Sequence, residues 1–343
     1  MISVKNLSRR FAKQKAVDNV SFEVNPGDVV GFLGPNGAGK STTMKMLTGF
    51  LQASSGEITI NGLDIRRQAK KVKHLIGYLP EGAPAYSDMT VYQFLRFIAQ
   101  IRDIPKATRQ EAINTVVTQL ALEEVLDKPI ENLSKGFKRR VGLAQAIIHD
   151  PKILILDEPT DGLDPNQKHQ VRKLIQNFAK DKIVIISTHI LEEVSAVCNR
   201  VIIIANGQKR FDGTPQAILQ KSAYFNAITL KFSYAADISG ILELDGVADL
   251  KHDRETKQVT IFPEPGRDIL ATVMSHIQKH QLPVDMIYPE TGRLDEVFRE
   301  VTRDDYTGHL DDMAPKEDEV NDAKPKRSDK NENAETPAKE ETQ

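Results

Sequence analysis

The nine residues GPNGAGKST, Gly34 to Thr42, follow an apolar run, VVGFL, and lead into a helical pattern. Glycines at 34, 37 and 39 let the backbone turn its amide groups inward around a polyphosphate, and the amino terminus of the next helix adds a favourable dipole. Lys40 would then reach the β and γ phosphates. Ser41 offers a hydroxyl to Mg²⁺, Thr42 offers one to a neighbouring phosphate oxygen, and Pro35, Asn36 and Ala38 complete the loop. A glycine-rich turn before a helix can also be purely structural. The preceding strand and following helix are the context that a phosphate-binding loop requires, so the fold is expected to be α/β.

The rest of the chain agrees. Between residues 1 and 220, the runs ILILD, IVIIST and RVIIIANG alternate with helical patterns beginning near Lys40, Pro165 and Leu191. That order predicts a largely parallel sheet. ILIL and IVII are apolar throughout, as suits strands covered on both faces. A mostly helical block is inserted at about 90–148. Residues 223–302 read as a small α+β unit, ferredoxin-like with one added helix. From 311 to 343 aromatics vanish and Lys, Glu, Asp, Asn and Pro dominate, which predicts a disordered charged tail.

Composition narrows the function. A formal net charge of −2 gives no global field to draw in nucleic acid or an anionic membrane. Cys198 is the single cysteine, so an intrachain disulfide and a multi-cysteine zinc site are excluded, which fits a reducing compartment. The longest apolar runs fall far short of the roughly 18 residues of a spanning helix, and MISVKNLSRRF lacks a signal-peptide core. A cytoplasmic protein is expected. One local feature points elsewhere: Lys138, Arg139 and Arg140 beside Phe137 would suit nucleic acid on composition alone.

Further along, ILILDEPTDGLDP places Asp157 and Glu158 at the carboxyl end of a buried strand, where open α/β sheets present ligands. Asp157 suits Mg²⁺, directly or through water. Glu158 suits a general base for water attacking the γ phosphate. Taken alone, the two acids could cap the next turn. His189 ends IVIISTH in the same layer; alone it would more often be structural, but its spacing after the other motifs favours a place in the site.

In order, GPNGAGKS, LSKGFKRR, ILILDEPTDGLD and ISTH resemble the ATP-binding subunits of ABC transporters over residues 1 to about 215. LSKGFKRRVGLAQAIIHDP and DGLDPNQ resemble the branch serving ABC-2 type exporters, gliding-motility-associated transporters included. The resemblance implies ATP and Mg²⁺ as cofactors, a second ATPase cassette, identical or not, and a separate multispan membrane permease. It also implies a peripheral location on the inner face of the cell membrane. By the same resemblance Ser134, Lys135 and Gly136 form the signature that meets the γ phosphate of ATP held by the other subunit. Asp164 is then the D-loop aspartate, His189 joins Glu158 as a catalytic residue, and Phe11 stacks on adenine, although it equally suits the core of a first strand. The basic cluster would face the phosphate of ATP, and no nucleic-acid partner is expected.

Two departures stand out. Lys135 and Phe137 replace the usual signature residues, and Glu81 stands where the family has the Q-loop glutamine, a carboxylate able to bind Mg²⁺ but adding negative charge near phosphates. The segment after it, GAPAYSDMTVYQFLRF, offers Tyr86 and Met89 as candidate contacts to a permease. The rival reading is a soluble ABC ATPase acting on ribosomes or nucleic acid. Such proteins carry two cassettes in one chain, long coiled coils or zinc cysteines, none of which is found in this sequence.

Overall fold

The computed structural model describes residues 1–82, 86–180, 182–234 and 236–303; the tail expected from 311 onward lies outside them. The first part of the chain runs β1 (Ile2–Phe11), β2 (Gln14–Val24), β3 (Val29–Leu33), α1 (Lys40–Leu47), β4 (Ser55–Ile60), β5 (Leu63–Asp64), α2 (Ala69–Leu75) and β6 (Ile76–Leu79). Then come α3 (Val91–Ile101), α4 (Arg109–Gln119) and α5 (Lys135–Ile147), the helices of the inserted block. The sheet resumes with β7 (Ile153–Asp157), α6 (Pro165–Phe178), β8 (Ile183–Thr188), α7 (Leu191–Val197), β9 (Arg200–Ala205), β10 (Gln208–Gly213) and α8 (Pro215–Leu219).

The central sheet has the order β10-β9-β3-β8-β7-β6, parallel except for β10 at its edge. Strands β3, β7 and β8 are buried at every position, which is why their sequences do not alternate. Successive side chains of one strand serve two cores. Ile153 and Ile155 of β7 pack with Phe32, Met44 and Leu47 on one side, while Leu154 and Leu156 pack with Phe94, Leu95 and Leu143 on the other. Each such side chain contributes about 1.5–3 kcal/mol through burial.

The largely parallel sheet expected within residues 1–220 is the central one, and a second sheet stands beside it. Strands β2, β1, β4 and β5 form a separate antiparallel sheet. Its hairpin turns between Phe11 and Gln14, with Ala12 at φ 49°, so chain direction reverses before any helix can intervene. In the helical block, α3 starts with a capping box: Gln93 N donates to Thr90 Oγ1 (3.2 Å) and Thr90 N to Gln93 Oε1 (3.0 Å).

The third sheet holds β11 (Phe225–Phe232), β12 (Val247–Asp253) and β13 (Gln258–Pro263), then, after α9 (Leu270–His280), β14 (Val284–Thr291); α10 (Leu294–Val301) follows. Its order β12-β13-β11-β14, with every pair antiparallel, is that of a split βαβ unit. A 3₁₀ turn, Ser239–Ile241, stands where the first crossover helix would be. Helix α9 sets Val273 against Ile228, Leu230 and Ile261. Helix α10 does not join that core. Its Leu294, Val297 and Val301 pack with Ile218 of α8 in the core of the central sheet. Among the described residues no helix is long and apolar enough to cross a membrane.

Candidate functional site

The loop from 34 to 39 connects β3 to α1 at the carboxyl edge of the central sheet. Close approach dictates two of its glycines. A Cβ at Gly34 would lie 2.3 Å from the Ile204 carbonyl oxygen, and one at Gly39, where φ is 105°, 2.4 Å from that of Ala16. Lys40 is buried and curls back, its Nζ donating to the carbonyls of Gly34 (2.6 Å) and Pro35 (3.0 Å). Burial holds its pKa below the ordinary lysine value, opposed by the charges of Glu158, Asp157 and Glu81. Pro35, Asn36 and Gly37 are exposed at the loop crest, Ala38 is buried, and Thr42 is half-buried one residue beyond Ser41.

At the end of β7, Asp157 is fully buried. Its Oδ1 accepts from Ser41 Oγ (3.3 Å) and from Ser187 Oγ on β8. Its Oδ2 is buried without a hydrogen-bond partner, an orphaned acceptor. A serine hydroxyl and an unsatisfied carboxylate oxygen suit Mg²⁺, which takes one or two protein oxygens and fills its shell with phosphate and water. Among the described residues no group of three or more His, Cys, Asp and Glu could hold a metal. Glu81 is exposed just past β6, and its charge reaches Lys40.

Glu158 adopts the left-handed region, φ 51°, at a cost of roughly 1–2 kcal/mol. Its backbone N–H is held by the Ser187 carbonyl (2.9 Å). The turn aims its carboxylate at the half-exposed His189, with Nδ1 to Oε1 at 2.9 Å. The two residues expected to be catalytic are thus in contact, and strain of this kind gathers where a side chain must be aimed.

The signature residues stand apart from this cluster. Ser134 caps α5, accepting from Phe137 N (3.4 Å), and Lys135 pairs with Asp161 (2.8 Å); both are exposed. Gly136 is buried beneath Gln167, whose Oε1 would be 2.5 Å from an added Cβ. Asp164 caps α6, accepting from Gln167 N (2.9 Å) ahead of Pro165. Phe11, at the end of β1, is 45% exposed, with the Arg9 guanidinium 4.7 Å from its ring centre, so it is not a core residue.

The expectation that the basic cluster faces phosphate is overturned. Arg139 and Arg140 are buried. Arg140 donates to the carbonyls of Leu120 (3.1 Å) and Ala121 (3.0 Å) and lies 4.0 Å over the Phe137 ring, so that ring has its partner within the chain. Lys138 donates to the Glu131 carbonyl (2.9 Å). Carbonyls at the end of α4 take up Arg140, and loop carbonyls after β6 and β7 take up Arg139. Sequence reasoning also missed Ser187, although its place two residues before His189 at a strand end was a usable signal.

Comparison with known proteins identifies the family. The family model described as ABC transporter matches residues 17–161. The chain is 36% identical over 304 residues to the uncharacterized ABC transporter ATP-binding protein YxlF of Bacillus subtilis, covering 88% of this chain and 99% of that one. It is 30% identical over 308 residues to the Nod factor export ATP-binding protein I of Ralstonia nicotianae, covering 88% and 94%. A solved ATP binding subunit of an ABC transporter superposes with a TM-score of 0.61 at 31% identity, over 64% of this chain and 92% of the other.

Proposed function

The chain belongs to the ATP-binding proteins of ABC transporters, an ATP hydrolase family, and from that premise we propose that it closes with a second cassette around two ATP molecules to drive a separate permease, as an exporter. The observation that carries this reading is the Glu158–His189 contact beside Asp157 and Ser41. In this reading residues 1–220 are the cassette, 90–148 its helical subdomain and 223–302 an accessory unit.

Lys40 exchanges two loop carbonyls for the β and γ phosphates, a stronger charge-assisted pairing. Backbone amides of the 34–42 loop and the α1 amino terminus hold the remaining phosphate oxygens. Ser41 and Asp157 would hold Mg²⁺, which would supply positive charge to the phosphates when bound, and Glu81 is a further carboxylate whose charge reaches Lys40. Glu158 accepts the proton of the attacking water, and His189 Nδ1 keeps its carboxylate aimed. Phe11 offers an exposed ring to adenine. Ser134 and Lys135, exposed at the start of α5, with Gly136 buried beneath Gln167 beside them, meet the γ phosphate of the second cassette, and Asp164 lies in the segment facing it.

Several features support a membrane partner. The relative from Ralstonia nicotianae is named for export, and no described helix of this chain spans a bilayer. The path across the membrane then belongs to another chain, with this one peripheral on the inner face. Tyr86 is 54% exposed, its ring edge-on to Phe97 at 5.3 Å, and is the stronger contact candidate; Met89 leans onto the core. Residues 83–85 of the same segment lie outside the described residues.

Mixing two crippled chains tests the shared site. Lys40→Ala and Ser134→Arg should each hydrolyse ATP at about a tenth of the parental rate or less, whereas their mixture forms dimers with one intact site and regains part of the ATPase rate. No recovery at any mixing ratio, with mixed dimers shown to form, would refute the reading.

A further inference from the structure

Arg139 occupies the second turn of α5 and is 5% exposed. Its Nη1 donates to the carbonyls of Pro80 (3.1 Å) and Gly82 (3.4 Å), the two residues flanking Glu81. Nε donates to the Pro159 carbonyl (3.3 Å), and Nη2 to those of Asp157 and Glu158. Every nitrogen of the fork therefore points at backbone oxygen. The acceptors come from two separate segments, the loop after β6 and the turn after β7.

A buried cation is ordinarily matched by a carboxylate in contact, because removing charge from water is costly. Here the carboxylates act from further off. Burial lowers the Arg139 pKa, and Asp161, Asp157, Glu158 and Glu81 oppose that fall. Three of those four crowd the phosphate site. Glu81, where the family has a neutral glutamine, adds one negative charge to the loop that Arg139 grips from beneath.

We propose that Arg139 is a positioning residue: it ties the 80–82 loop and the Glu158 turn into one unit and offsets the charge of Glu81, so that movement of that loop reaches the hydrolytic carboxylate. This rests on Glu158 being the base. Any displacement of residues 80–82, whether by nucleotide or by a permease seated beside Tyr86, is passed on through one planar group. Arginine suits this task because its five donors are fixed in one plane, whereas a lysine in its place could serve only one segment at a time.

The experiment compares Arg139→Gln, Arg139→Lys, Glu81→Gln, the Arg139→Gln/Glu81→Gln double variant and Glu158→Gln. It reads kcat, KM, affinity for a non-hydrolysable ATP analogue, and backbone hydrogen exchange at 80–82 and 157–161. Arg139→Gln should lower kcat about 10-fold or more while analogue affinity stays within about 3-fold, with exchange rising in both segments. The double variant should recover at least about 3-fold of the lost kcat, since it removes one charge of each sign. If Arg139→Gln fails to fold, Arg139→Lys carries the test, with exchange rising in one segment and kcat falling. The proposal is overturned if the folded Gln variant keeps kcat within about 2-fold, if the double variant is no better than Arg139→Gln, or if Arg139→Lys leaves exchange and kcat at parental levels. Near-normal hydrolysis by Glu158→Gln would instead overturn the base assignment, leaving the exchange result to judge Arg139 alone.

Discussion

The two motifs that the proposed function assigns to ATP are built to opposite plans. The 34–42 loop is satisfied from within: Lys40 bonds its own loop carbonyls, and Ser41 bonds Asp157. The signature is turned outward, with Ser134 and Lys135 exposed at the start of α5, the Ser134 hydroxyl accepting from Phe137 N and the Lys135 ammonium paired with Asp161. On the proposed reading the inward half supplies the groups for cleaving a phosphoanhydride, and the outward half offers a helix terminus to an anion held by the second cassette. One chain thus carries two unlike halves of a site, and each should fail in its own way.

Disabling the inward half should have the largest effect. Glu158→Gln removes the base but keeps shape, so hydrolysis should fall by roughly 100-fold or more with ATP binding preserved. Steady-state turnover and nucleotide binding on one preparation check this, and a matching loss of affinity would mean that Glu158 binds instead of catalysing. Ser134→Arg acts on the outward half and should lower hydrolysis by roughly 10- to 100-fold through lost dimer closure. The affinity of dilute, monomeric chain for ATP should not change. A weaker monomer affinity would erase the distinction between the halves.

The third effect depends on pH. His149 follows α5 and meets the Ile76 carbonyl at 3.2 Å; burial first, then Arg102, lowers its pKa to about 4. A folded pKa below the ordinary 6.5 means the unfolded chain takes up the proton first. Stability is then full above pH 6.5 and drains away as pH falls toward 4, by about 2 kcal/mol at pH 5. In denaturant melts, the stability of the parent minus that of His149→Gln should therefore be about 2 kcal/mol lower at pH 5 than at pH 7, and parallel curves would reject it. The smallest effect belongs to Phe11→Ala, which should weaken ATP binding about 5-fold with kcat unchanged, as titration with a fluorescent ATP analogue would show.

The inward half was legible in the sequence because its chemistry is local. Lys40, Ser41, Asp157 and Glu158 sit in two short stretches whose strand contexts can be read from apolar runs, and the structure brings them together. The outward half misled. LSKGFKRR reads as a basic surface, yet Arg139 and Arg140 are consumed by carbonyls from residues 80–82, 120–121 and 157–159. No one-dimensional signal marks a buried cation whose acceptors are distant backbone oxygens. The antiparallel sheet of β1, β2, β4 and β5 was hidden for a similar reason, since half-buried strands do not announce which neighbour they will pair with.

The return of α10 to α8 changes what the last 80 or so described residues are. With Leu294, Val297 and Val301 packed against the core that holds Ile218, and with Arg293 N donating to Ser222 Oγ at 3.0 Å, the third sheet leaves and re-enters the cassette at one place. Topologically it is an insertion between two neighbouring helices, not an appendage on a tether. Cutting the chain after Ser222 would strip a wall from the core, whereas excising 225–291 and joining the ends would leave that wall standing. Both connections of the unit thus meet the core at one place, beside α8 and just after the edge strand β10, so the rim of the central sheet is where the third sheet is anchored.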